Sequence, residues 1–343
     1  MSILDLRLLE SRIEYPNGLD AQNLREQRYG WINAAKRSNL LSMTAMSDIK
    51  NSWGRSAVRI PVMSHNKPTV TSGSMDCAFG DSTAVGTYVD VTFIQGWVPV
   101  SMVPRQAEAS ELTPEQIFSR QWRDAELAIA DEIEAAIAGV VDTAIATTYN
   151  SGLVGATSDY PLAANALQVS AALKPRFFND VKSIVFADDF DFSMLEVIGD
   201  ANLPADVAFY GAQGGANNTN TQFQFNGFNF GYSRSTVTTA AARSTGYVMQ
   251  PNSIAYTSRV SGDARANRKS TDGTSWMTYN SELLGLELEV MYKSGCADVA
   301  AITPNPDDTG GLKEQWKLYY NIAILKPYET GTNGGIKKFD ILP

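Results

Sequence analysis

Histidine occurs once in this chain, at His65, and cysteine twice, at Cys77 and Cys296. One histidine excludes a metal centre built on several imidazoles, and any Ser-His-Asp relay would have to run through His65. The two cysteines form no Cys-x-x-Cys pair and no disulfide framework; they read as reduced thiols of a reducing compartment. Positive charge is also short. The 28 Lys and Arg stand against 37 Asp and Glu, a formal net charge of -9, which excludes a global cationic field for tight wrapping of nucleic acid. No apolar run approaches the ~20 residues of a membrane-crossing helix. Met1 to Glu10 lack a basic stretch followed by an uninterrupted apolar one, so no signal peptide is expected there. Internal repeats and low-complexity tails are absent as well.

What is present is the composition of a folded chain. Of 343 residues, 44% are hydrophobic and 19% charged, enough for one large domain or two intimately joined ones. Residues 1–50 mix apolar and charged positions without a sustained period, carry a turn signal at Pro16-Asn17-Gly18, and read as an arm with a short helix at Leu19–Arg37. Residues 51–105 read as an extended two-stranded tongue. Val58, Ile60 and Val62 alternate with Arg59 and Pro61, and Pro61 marks an edge strand. Val89, Val91 and Phe93 alternate with Tyr88, Asp90 and Thr92, and the stretch Thr71–Gly86 between the strands is a polar loop. A lone hairpin is marginal in water, so this one is expected to need a partner surface.

Residues 106–164 hold the clearest element. Thr113-Pro114-Glu115-Gln116 is a helix start, with Thr as N-cap and Pro at the first helical position. Phe118, Trp122, Ala125, Ile129, Ile133, Ala136, Val140 and Ala144 then recur in steps of three and four, the stripe of a long amphipathic helix. Asp124, Glu126, Asp131 and Glu132 lie off it. Residues 165–280 read as mixed α/β. The expectations are a helix at Ala164–Leu173, a fully apolar strand at Ser183–Ala187, a helical turn at Phe192–Ile198 and a flexible loop at Gly211–Thr221. Strands are expected at Phe223–Tyr232, Gly246–Met249 and Ile254–Thr257. Residues 281–343 return as strands at Leu284–Tyr292 and Trp316–Leu325, joined by a turn-rich stretch at Asn305–Gly311.

Catalytic constellations fail one by one. Gly231-Tyr232-Ser233-Arg234-Ser235 lacks the closing glycine of a nucleophile elbow. Gly211–Gly215 lacks the Lys-Ser/Thr of a phosphate-binding loop, and Asp307-Asp308 lacks calcium-loop spacing. Arg265, Arg268 and Lys269 could touch phosphate but read as a solvated loop. Trp316, Tyr319 and Tyr320 read as core packing. The densest carboxylates, Asp188, Asp189 and Asp191, could hold a divalent cation, or one of them could simply cap the next helix. No catalytic, cofactor-binding or metal-binding residue is therefore assigned, and no cofactor is expected.

The order arm, tongue, long helix, mixed body and returning strands resembles the tailed-bacteriophage major capsid family, with the Hong Kong 97-like fold. Phe225–Gly231 followed by Gly246–Tyr256 is similar to that family's late axial strands, and Leu284–Asp298 to the strand that returns to its peripheral domain. The resemblance implies an α+β chain with an N-terminal arm, an extended β-hairpin loop, a peripheral domain on a spine helix, and an axial domain. It implies a non-enzymatic subunit of an icosahedral shell, assembled as hexamers and pentamers around double-stranded DNA. Its partners would be many copies of itself, a portal, scaffolding or decoration proteins, and DNA through weak non-specific contact, with no membrane. The location implied is the virion capsid, built in the host bacterial cytoplasm. Arg55, Arg59, Lys67, Tyr88, Phe93 and Trp31 would contact neighbouring copies; Phe118, Trp122, Ile129, Ile133 and Val140 would form the core of the spine helix. Only about fifty residues precede the tongue, so a separate scaffold or self-assembly is expected, and no crosslink is assigned to Lys67. Two other readings stay open: an encapsulin-type cargo shell on the same fold, and a metal-dependent enzyme using Asp188, Asp189 and Asp191.

Overall fold

The computed structural model describes residues 29–38, 43–52, 57–63, 86–104, 114–214, 227–298, 310–326, 331–332 and 334–343. In chain order these form α1 (Gly30–Arg37), α2 (Met43–Asn51), β1 (Ala57–Met63), β2 (Gly86–Met102), α3 (Pro114–Asp142), β3 (Ala146–Thr148), β4 (Leu162–Ala163), β5 (Ala166–Val169), α4 (Phe177–Ala187), β6 (Leu195–Gly199), α5 (Leu203–Gly214), β7 (Phe228–Tyr232), β8 (Ser244–Met249), β9 (Ala255–Ser258), α6 (Gly262–Arg265), β10 (Ser275–Ser281), β11 (Leu286–Asp298), β12 (Gly310–Leu325), β13 (Gly331–Thr332) and β14 (Ile336–Ile341). The chain is α+β.

Two six-stranded sheets organise it. The first runs β1-β2-β12-β11-β10, with β9 also paired to β12; the second runs β4-β5-β14-β8-β6-β7. The 29-residue α3, roughly 44 Å long at ~1.5 Å per residue, supplies the core of the first layer. Phe118, Trp122, Ile129, Ile133, Ile137 and Val141 from this helix pack with Val100, Met102, Leu288, Val290, Trp316, Leu318 and Ile322 of the sheet. A second core joins Phe177, Phe178, Val181 and Ile184 of α4 to Leu167, Val197, Val248, Phe339 and Ile341 of the second sheet. Burial of side chains this large contributes roughly 1.5–3 kcal/mol each.

The stripe on α3 departs from its expected course in the last three turns. Val140 is half-buried, whereas Ile137 and Val141 are fully buried, and Glu126 is half-buried rather than outside. From Ile129 the buried line follows 133, 137 and 141, a row of constant four-residue spacing. Such a row drifts around the helix, and a helix that crosses its bed obliquely buries the row and not the straight stripe.

Three expected elements take the other secondary structure. Residues 183–187 belong to α4, whose buried positions 177, 178, 181, 184 and 185 have helical spacing; the short β-branched run cannot be told from a helix by its own composition. Leu195–Gly199 is a strand buried at every position, because it lies between β7 and β8. Ala164 and Asn165 both adopt positive φ, 47° and 64°. They form the two-residue turn that pairs Leu162 with Leu167 and Ala163 with Ala166, as expected for a mirror-type hairpin turn. The sheet partner thus overrides the helix preference of these alanines.

The remaining expectations land closer. The strands at Phe228–Tyr232, Ser244–Met249, Ala255–Ser258, Leu286–Asp298 and Gly310–Leu325 are present. α5 extends to Gly214, into the stretch read as a loop. The body boundaries shift in two places: β9 and β10 join the first sheet, and β14 joins the second.

Candidate assembly surface

β2 serves two structures at once. Its first residues pair with β1, from Met63↔Gly86 to Ala57↔Thr92. Its later residues pair with β12, from Ala323↔Phe93 to Glu314↔Met102. A strand of 17 residues spans roughly 56 Å at ~3.3 Å per residue, long enough to pair with β1 along one part and β12 along the other. β1 has β2 as its one strand partner among the described residues, and Pro61 sits in it where an edge tolerates a missing donor.

The base of this hairpin is packed on its own chain. Val58 and Val91 form a small buried cluster with Ile49 of α2 and Ala323 of β12. The Arg259 guanidinium lies 3.6 Å from the centroid of the Phe93 ring and is held there by Asn321 at 3.1 Å and the Ser52 carbonyl at 3.0 Å. One face of the half-buried Phe93 ring is therefore covered by its own Arg259. Further out, Tyr88 is 66% exposed, and Arg59 is exposed opposite Asp90 in the register. Arg55, Lys67 and His65 lie outside the described residues, as does the loop between the strands.

Trp31, expected to touch a neighbouring copy, lies inside its own chain. It is fully buried, its indole N–H donates to Thr236 Oγ1 at 3.0 Å, and its ring meets Tyr247 edge-on at 5.3 Å. Contact with another copy cannot fall to a side chain enclosed by its own chain. α1 is anchored at both ends. Gly30 approaches the backbone of Tyr232 so closely that a Cβ would lie 2.8 Å from its carbonyl oxygen. Lys36 donates to the Leu283 carbonyl at 2.7 Å, and Arg37 pairs with Glu196 at 3.6 Å.

No side chain of its own caps the start of α1. Glu134, from the middle of α3, does so instead: Oε1 accepts from Trp31 N at 3.0 Å and Oε2 from Ile32 N at 2.9 Å. Burial pushes this carboxyl up to about 7; bonds from Ser233, Trp31 and Ile32 pull the other way, and Asp131 reinforces the rise. Glu134 stands one step from Ile133 and three from Ile137, so its burial follows from the drift of the same face. Sequence periodicity places a glutamate there only as a misfit.

The acidic cluster is absorbed by the fold. Asp188 forms a fully buried pair with Lys337 and accepts from Asn150 N at 2.7 Å. Lys337 also lies 4.6 Å from the Tyr149 ring, and burial lowers its pKa against the pull of Asp188. Asp189 takes φ of 65° after the end of α4, a position that favours Asn, Asp and Gly. Asp191 accepts from Ser193 N at 2.9 Å and Ser193 Oγ at 2.8 Å. The cap expected among these three belongs elsewhere, to Asp200, which accepts from Asn202 N and Leu203 N, each at 3.0 Å. Among the described residues, no group of three His, Cys, Asp or Glu side chains converges as metal ligands would. Arg265 donates to the Lys50 carbonyl at 2.6 Å, and Arg268 pairs with Asp263 at 2.8 Å.

No family model matches the chain, and no curated protein matches it. Solved structures do. A structure from Mycobacterium phage Che8 is 11% identical, over 88% of this chain and 89% of that one, with a TM-score of 0.49. The capsid of Ralstonia phage GP4 is 11% identical, over 84% and 83%, with a TM-score of 0.47. The capsid structure of cyanophage P-SCSP1u is 9% identical, over 84% of each chain, with a TM-score of 0.44. Along more than four-fifths of its length, the chain is similar to solved structures of phage capsids.

Proposed function

We propose that this chain is a structural, non-catalytic subunit of an icosahedral tailed-phage capsid. The observation that carries the reading is the pairing of β2 with both β1 and β12, which leaves β1 with one strand partner among the described residues and Tyr88 exposed on the hairpin. An isolated hairpin is marginally stable in water, and an open edge is a template for another chain. The economical occupant is another copy. Identical contacts of this head-to-tail kind close into rings, and many weak ones add through multivalency. Hexamers and pentamers enclosing DNA, a portal and assembly in the host cytoplasm belong to the same proposal. The acidic balance supports it, since a wall of net charge -9 per copy does not hold DNA tightly.

The test is assembly. Purified full-length protein, imaged by negative stain and sized by sedimentation, is expected to form rings or closed shells. Shortening the tongue by deleting residues 64–85 is expected to leave folded, unassembled subunits. A wild-type protein that stays monomeric at high concentration, or a shortened one that still forms shells, would remove the basis of the proposal.

A further inference from the structure

The face of the first sheet turned away from α3 carries a cluster of positive charge that the shell reading leaves unused. In the register, Lys293 of β11 stands opposite Gln315 of β12, Gly295 opposite Lys313, and Met291 opposite Lys317. Gln315 and Lys317 in turn face Ser101 and Pro99 of β2. Side chains alternate along a strand, so with Trp316 and Leu318 in the core, Lys313, Gln315 and Lys317 point together to the outside. With Lys293 and Pro99 they line a groove of about 610 Å3. Beside it Trp97, 53% exposed, holds the Lys317 ammonium 4.5 Å from its ring centroid.

These charges are poorly neutralised. Lys293 reaches Asp272 at 3.7 Å, with both side chains more than half exposed, a geometry worth little in water. Among the described residues, Lys313 and Lys317 have no ion-pair partner. Three ammonium groups on two adjacent strands of a chain with net charge -9 therefore form a local reversal of the field. An exposed tryptophan lies next to them, a residue type enriched at the energetic centres of binding surfaces.

We propose that this groove binds an extended acidic segment of a partner protein, its carboxylates meeting Lys293, Lys313 and Lys317 and an apolar side chain covering Trp97. The geometry favours a short acidic segment over duplex nucleic acid. Lys313 and Lys317 lie four residues apart on one strand, roughly 13 Å at ~3.3 Å per residue, which an extended peptide with acidic side chains on one face can match. A rigid duplex spreads its charge far beyond the three lysines of the patch, in a chain whose net charge is -9. Lysines, as point charges, need no planar partner geometry, so the segment is recognised by charge and spacing. The inference rests on the shell reading in one respect, that this face stays open in the assembled particle.

The experiment titrates a hexaglutamate peptide into full-length protein and follows Trp97 emission, with Trp97→Phe as the control that identifies the signal. Binding is expected to weaken several-fold between about 50 and about 200 mM salt, and about tenfold or more in the Lys293→Gln/Lys313→Gln/Lys317→Gln variant, whose folding is checked by its melting temperature. Absence of peptide binding, or binding that ignores the three lysines, would overturn the inference. So would tighter lysine-dependent binding of a 20-base-pair duplex, or loss of particle assembly in the triple variant, which would assign the face to DNA or to another copy. Particle formation is scored separately. Wild-type protein that binds the peptide but forms no particles supports the groove and ends the shell reading.

Discussion

Glu134 holds Trp31 by its backbone and not by its ring: the carboxylate accepts the Trp31 amide at 3.0 Å while the indole donates elsewhere, to Thr236. A helix of eight residues with no cap of its own would fray in isolation, since its first amides lack partners. The long helix supplies what the arm lacks, and burial of one acid is the cost.

That burial makes the arm contact pH-dependent. The folded-state pKa of Glu134 lies above its ordinary value of 4.5, at about 7, because burial disfavours the charge. A raised folded pKa means that the folded state binds the extra proton between these values. The stabilisation is therefore fully present below about pH 4.5 and is lost as pH rises through about 7. Thermal melts of wild type and Glu134→Gln at about pH 5 and about pH 8 should show a wild-type loss that the variant lacks. Equal pH sensitivity in both would contradict the assignment. Glu134→Ala, which leaves two amides unpaired, is expected to destabilise by roughly 1–3 kcal/mol.

The Asp188–Lys337 pair should behave as a buried pair whose halves depend on each other. Asp188→Ala or Lys337→Ala alone is expected to cost about 3–5 kcal/mol, because the survivor is an uncompensated charge in the core. Lys337→Met combined with Asp188→Leu should recover most of that loss. Denaturant titration of the three variants measures it; a double variant no better than the singles would show that the pair does more than neutralise itself.

The oblique path of the buried row on α3 can be read by substitution. Ile137→Ala should cost about 2–5 kcal/mol by leaving a cavity. Val140→Ala, at a half-buried position, should cost well under half as much. A reversed order in chemical denaturation would restore the straight stripe.

Gly246 tests the second sheet. A Cβ there would overlap the Phe339 ring at Cζ, and that ring packs at 4.8 Å on Phe177 in a closed core. Gly246→Ala is expected to destabilise by about 1–3 kcal/mol, with Phe339→Leu in the same chain relieving part of it. An unchanged melting temperature for Gly246→Ala would mean the ring can move aside.

Much of the outline was legible along the chain because it rests on patterns that need no partner to be seen. The start of α3 at Pro114 is written in Thr113-Pro114, and its buried face through Ile133 in spacing alone. The alternation at 57–63 and 86–94, with Pro61 as the edge mark, is likewise local. The long strands at 286–298 and 310–325 carry their own period of two.

Tertiary structure decided the rest, wherever a residue's fate depends on what it meets. Alanines at 163, 164 and 166 became a hairpin because β14 offered an edge; the apolar run at 183–187 became helix because Phe177 and Val181 complete its face; Leu195–Gly199 became a strand because it is covered on both sides. Periodicity could not reveal that Trp31 is internal, that Phe93 lies under Arg259, or that Asp188 is consumed by Lys337 from a strand about 150 residues away. Each of these pairings joins distant segments, and only the closed fold brings them within the few ångströms over which hydrogen bonds and contact forces act.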